Sequence, residues 1–144
     1  MLALPTLATP TKGGVMEQRD RDELTDLIGR LGLWLDGKRF DDPRAVFTED
    51  AEVTTPGGTS KGAGALAAQA RRNHTVPTQH FVTNPLIEVD GDRAGIGANL
   101  LVVFAHEDGP RVVGERYDLQ AARTPDGWRI AGVRSNVIWD LRAA

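Results

Sequence analysis

The sequence predicts an α+β fold in which helices come first and a long antiparallel sheet follows. Three observations carry this expectation. Leu24, Leu27, Ile28, Leu31 and Leu35 recur at helical spacing and form one apolar stripe. From Gln79 onward the chain reads as four extended, apolar-rich segments. Those segments are separated by Gly91-Asp92, Glu107-Asp108-Gly109-Pro110 and Pro125-Asp126-Gly127, all of hairpin type. Helices grouped before strands argue against an alternating βαβ sheet.

The elements follow in order. Residues 1–16 form a lead rich in Pro, Thr, Gly and Ala, expected to be flexible, and 17–144 a single domain. Pro5 and Pro10 interrupt the apolar residues of the lead, which therefore lacks the continuous core of a signal peptide. The first helix is predicted from Glu17 to Phe40, with Gly37 as its terminator. Asp41-Asp42-Pro43 reads as an N-cap followed by proline, opening a short helix that ends near Thr48. Ala51 to Thr55 is a first strand, and Pro56-Gly57-Gly58 a turn. An Ala-rich helix is expected from Ala63 to Asn73. The long strands are predicted as His80–Val89, Arg93–His106, Arg111–Arg123 and Trp128–Asp140. A long sheet curved around one long helix leaves a cavity at its open end, a common place for a small ligand.

Composition removes several function classes. The net charge is −3 and the basic residues are scattered, so nucleic acid is not an expected partner. The chain has no cysteine, which excludes disulfides, thiolate nucleophiles and Cys-based metal sites. That absence suits the cytoplasm, and no apolar run approaches membrane-spanning length. His74, His80 and His106 lack zinc-site spacing, so no metal is expected. Gly62-Ala63-Gly64 precedes a helix without the dinucleotide fingerprint, so no cofactor is expected there. His74, after Arg71-Arg72-Asn73, is accounted for by a helix C-terminal turn.

Several segments together resemble one known family. They are Trp34-Leu35-Asp36-Gly37-Lys38-Arg39-Phe40, Phe47-Thr48-Glu49-Asp50-Ala51, Thr78-Gln79-His80-Phe81-Val82-Thr83-Asn84, Asp126-Gly127-Trp128-Arg129-Ile130, and Ile138-Trp139. The pattern is similar to the SnoaL-like branch of the nuclear transport factor 2-like superfamily, and within it to scytalone dehydratase-like proteins. It runs from about Glu17 to Asp140. The resemblance implies a cone-shaped fold, a homodimer, and acid–base chemistry without a cofactor. An aspartate ending the first helix and a histidine opening the first long strand map onto Asp36 and His80. Leu35 stands where the dehydratase has a tyrosine, and Phe104 near where it has a second histidine.

A carboxylate that holds an imidazole fixes its tautomer and raises its basicity, which serves dehydration, isomerisation and cyclisation alike. On the helical wheel Asp36 shares a strip with Gly29 and Gly32, where small residues admit a close neighbour. Arg116 and Asp118 share one face of their strand, and Glu115 and Tyr117 the other. By analogy with the dehydratase, the Arg116/Asp118 face is expected to look into the cavity. Tyr117 is a candidate hydrogen-bond donor to an oxyanion. Asn84 and Asn99 are candidate polar pocket groups, and Trp34 and Phe40 candidate apolar walls. The expected substrate is a small, cyclic or polyketide-like hydrophobic molecule. Two alternatives stand: a non-catalytic binding module or accessory subunit on the same fold, and an epoxide hydrolase using Asp36, Arg116 and Asp118.

Overall fold

The structure, a computed structural model, describes residues 12–142. Its first helix, α1, spans Lys12–Asp36. The helix begins five residues before the predicted start at Glu17, so 12–16 of the lead are helical. Residues 1–11 of that lead lie outside the described residues. The predicted stripe is the buried face, since Leu24, Leu27, Ile28, Leu31 and Leu35 all belong to the core with Trp34 between them. Each such side chain contributes roughly 1.5–3 kcal/mol through burial. α1 stops before Gly37, whose backbone N–H donates to Leu33 O at 2.7 Å. A Cβ on Gly37 would lie 2.8 Å from that same oxygen, so the tight exit needs glycine.

A short 3-10 turn, Pro43–Ala45, replaces the predicted helix to Thr48, because strand β1 (Phe47–Thr55) has already begun. β1 turns at Pro56-Gly57 into β2 (Gly58–Lys61), which the sequence did not single out as a strand. Helix α2 (Ala63–Asn73) follows within the predicted limits. Its Gln69 donates to Thr55 Oγ1 and to Gly58 O, fastening the small hairpin to the helix. The four long strands are β3 (Thr78–Asp90), β4 (Arg93–His106), β5 (Gly109–Thr124) and β6 (Gly127–Arg142).

All six strands form one sheet in the order β2-β1-β6-β5-β4-β3. Every pairing is antiparallel except that of β1 with β6, which is parallel. The inner face carries Ala94, Ile96, Ala98, Leu100 and Val102 of β4 against α1, with Leu119 and Ala121 of β5 beside them. Trp128 opens β6 on the same face and donates its indole N–H to Asp20 of α1 at 3.1 Å. The Asp-Gly-Trp-Arg-Ile segment therefore staples the last hairpin to the first helix. Among the described residues, no helix is long and apolar enough to cross a membrane.

Three bulges in the antiparallel pairings of the long strands decide which of their residues face inward. At Thr83/Leu86 the register of β3 shifts, and Asn84 adopts φ +54. At Gln120/Ala121 and Gly114/Glu115, β6 carries an extra residue against β5. Each shift reverses the inward and outward positions beyond it.

Candidate active site

The concave side of the sheet and the two helices enclose a cavity of about 360 Å³, at the small end for ligand pockets. Leu31, Leu35, Phe47, Leu66, Leu100 and Val102 supply apolar wall. Trp34 also lines it, held by edge-to-face contacts with Phe40 and Phe47 at 5.1 Å and by an indole bond to Asp42 O. Phe40 is buried behind Trp34 and does not reach the cavity, so its expected role as a wall is corrected to one of support.

At one end stand Asp36 and His80. Asp36 is the last residue of α1, and His80 lies near the start of β3, which runs alongside that helix. His80 Nδ1 is 2.5 Å from Asp36 Oδ1. The His80 backbone N–H donates to Oδ2 at 2.9 Å, and Thr78 Oγ1 donates to Oδ1 at 3.2 Å. The carboxylate accepts from Nδ1–H, which leaves Nε2 with its lone pair. Nε2 has no hydrogen-bond partner among the described residues, and the ring lines the cavity. The side chain is 3 % exposed. Burial lowers the His80 pKa, with Asp36 pulling the other way, so the imidazole is neutral near pH 7.

His74 completes this end. It caps α2, and its ring lies 5.4 Å from that of His80 and 6.1 Å from Phe104. Its Nδ1 is 2.7 Å from Ala70 O, which can only accept, so Nδ1 carries the proton and Nε2 is an acceptor. Burial depresses its pKa to about 4. Lys38, just past α1, donates to His74 O and Val76 O and holds the two segments together. The helix-end position accounts for the bond to Ala70 O, but the ring is a neutral part of the cavity wall and not a cation at the helix terminus.

Across the cavity lie Glu115 and Tyr117 of β5 and Ser135 of β6. Burial raises the pKa of Glu115, opposed by a hydrogen bond from Ser135 and the more distant Arg111. Burial also drives the Tyr117 pKa upward, so the phenol stays a neutral donor. Here the expectation from the dehydratase is corrected: Glu115 and Tyr117 face inward, while Arg116 and Asp118 point outward and are exposed. The pleat explains it, because Val113, Leu119 and Ala121 share the odd-numbered face and belong to the buried side. The polar alternation at 116, 118 and 120 was the available signal. Asn99 pairs with Arg116 on that outer face, and Asn84 sits exposed at the β3 bulge, so neither lines the cavity. With Arg116 and Asp118 outside, the Asp-Arg-Asp set of an epoxide hydrolase is not assembled. The Gly29/Gly32 strip is no close contact either, since a Cβ at either position meets nothing within 4 Å. It lines a groove that reaches the back of Asp36 and His80 from solvent.

The chain matches the model of the SnoaL-like domain over residues 16–134 and belongs to that family. An uncharacterised protein of Mycobacterium tuberculosis is 34% identical over 124 residues, covering 81% of this chain and 84% of the relative. A scytalone dehydratase-like protein from Novosphingobium aromaticivorans superposes with a TM-score of 0.76 at 18% identity, over 90% of this chain and 89% of that one. Hexachlorocyclohexane dehydrochlorinase from Novosphingobium barchaimii does so with a TM-score of 0.77 at 18% identity, over 89% and 92%. At such identities these two likenesses establish the shared fold, not a shared activity.

Proposed function

We propose that the protein is a cofactor-independent acid–base enzyme of the dehydratase, isomerase or cyclase type, acting on a small cyclic or polyketide-like hydrophobic substrate. The observation that carries this is His80, on the wall of a cavity with a largely apolar lining and hydrogen-bonded at 2.5 Å to Asp36. Nε2 of His80 removes a proton from a carbon beside a carbonyl, and Asp36 stabilises the imidazolium that forms. The apolar wall holds the substrate ring and excludes water from the reacting carbon. The names of the two structural neighbours, a dehydratase and a dehydrochlorinase, are in keeping with eliminations begun by proton removal. A cytoplasmic location fits the cysteine-free sequence.

The test is solvent deuterium exchange into cyclic ketones by the wild type, Asp36→Asn and His80→Ala. Loss of about 10²- to 10⁴-fold in exchange rate is expected for His80→Ala, and a substantial loss for Asp36→Asn. Exchange that survives unchanged in both variants removes the enzyme reading and leaves a binding module.

The reading includes a homodimer through the outer face of the sheet. Phe81, Leu101, Val103, Val112, Trp139 and Leu141 form one apolar band there, with Phe81, Trp139 and Leu141 exposed. Exposed Arg116, Arg134 and Asp118 border it, giving both signs of charge to a two-fold, self-complementary contact.

A further inference from the structure

Two strands from His80 the cavity wall holds a second group with proton-transfer chemistry, Glu115, which the acid–base pair does not use. We propose that Glu115 is a further catalytic residue of this site, the proton donor to an oxygen that leaves the substrate. The inference rests on the reading of Asp36 and His80 as the base.

The geometry carries it. Register places His80 opposite Val102, Val102 opposite Val113, and Glu115 two positions further along β5. Two strand spacings of about 4.8 Å and a two-residue offset of about 6.8 Å separate the two Cα atoms by about 12 Å on a flat sheet. Both residues lie on the concave face. Both line the same cavity, and Glu115 is 9 % exposed.

The surroundings favour the protonated acid. Tyr117, two residues along the same face, is a neutral donor. Ser135 on β6 offers a hydroxyl. The helices present Leu31, Trp34 and Leu35 from α1 and Gln69 and Asn73 from α2, none of them charged. His74 and His80 are neutral at the far end. Arg111 is the one cation lining this cavity among the described residues. Its guanidinium is already engaged in two bonds to Asp140, from Nε at 3.0 Å and Nη2 at 2.6 Å. That pair presents little net charge to Glu115, so burial dominates and the carboxyl holds its proton above the ordinary range.

The chemistry balances without a co-reactant. His80 Nε2 takes the proton from the carbon beside the carbonyl, and that C–H electron pair becomes the new C=C bond. The C–O bond breaks with its electrons on oxygen, Glu115 gives that oxygen its proton, and water leaves. Imidazolium and carboxylate then reset by net transfer of one proton through solvent.

The experiment uses the full chain and two readouts. Carboxyl NMR of protein carrying ¹³Cδ-glutamate, recorded across pH, is expected to show one signal that titrates above the other glutamates and vanishes in Glu115→Gln. Kinetics with 3-hydroxycyclohexanone and 3-acetoxycyclohexanone form the second. Glu115→Gln is expected to keep deuterium exchange beside the carbonyl, to lose water elimination by about 10²-fold or more, and to retain most acetate elimination, whose leaving group needs less protonation. His80→Ala is expected to lose exchange and both eliminations. A Glu115 carboxyl titrating with the others, or undiminished water elimination by Glu115→Gln, overturns the acid role while leaving the base intact. Exchange that survives in His80→Ala overturns the base reading instead. A wild type that exchanges the ketone without eliminating water overturns the proton-donor role.

Discussion

Replacing His74 by Asn isolates the cost of protonating the cavity wall. The Asn amide can donate to Ala70 O as Nδ1–H does now, but it does not titrate. In the unfolded chain His74 takes a proton near pH 6.5, and in the folded chain only near 4. Between those values the unfolded state binds more protons, so acid favours unfolding. The stabilisation from this source is complete above about pH 6.5, declines as pH falls, and is lost once pH passes below about 4. At ~1.4 kcal/mol per pH unit, the whole effect is about 3 kcal/mol. His80, also lowered by burial, acts in the same direction, and Glu115 acts in the opposite one. Both remain in the variant, so the difference between the two proteins reports His74. The assay is urea denaturation followed by tryptophan fluorescence at half-unit steps from pH 8 to pH 4. Wild type minus His74→Asn is expected to fall by about 3 kcal/mol over that range. A difference that stays flat with pH refutes a neutral, buried His74.

Other outcomes follow from the same contacts. Asp20→Ala is expected to cost about 2–4 kcal/mol in urea denaturation, because buried Trp128 loses its acceptor and Arg123 its bidentate partner. A loss under about 0.5 kcal/mol, ordinary for a surface change, contradicts a structural role for that cluster. Trp139→Lys places a charge in the outer apolar band and is expected to give a monomer by sedimentation equilibrium where the wild type is a dimer. A wild type that sediments as a monomer removes the dimer. Asp118→Asn and Arg116→Gln, on the outer face, are expected to leave ketone exchange within about two-fold, as surface substitutions do. A large loss in either places that face in the chemistry after all.

The elements were legible because their signals are local. The stripe from Leu24 to Leu35 encodes α1, and hairpin turns mark off β3 to β6 without reference to anything distant. Asp36 and His80 were recognised from the motifs around them, and the fold brings those motifs together at 2.5 Å. Glu115 was legible in part. The apolar run Val113, Tyr117, Leu119, Ala121 already assigned its face to the interior, and the analogy that favoured Arg116 and Asp118 overrode that pattern.

Tertiary structure alone decided the rest. A bulge inserts one residue where two strands meet, and which side faces in beyond it depends on a partner far along the chain. That is why Asn84 turned outward and why Ser135 and Trp128 share an inner face despite their opposite parity. The parallel pairing of β1 with β6 joins segments about eighty residues apart, and no local pattern announces it. His74 shows the same limit at one residue. Its chain position explains the bond to Ala70 O, but only the packing of α2 against the sheet sets its ring beside His80. The sequence by itself determined the order of elements and the buried stripe. Register and packing determined which polar groups share one cavity, because that requires long-range pairings that no short window contains.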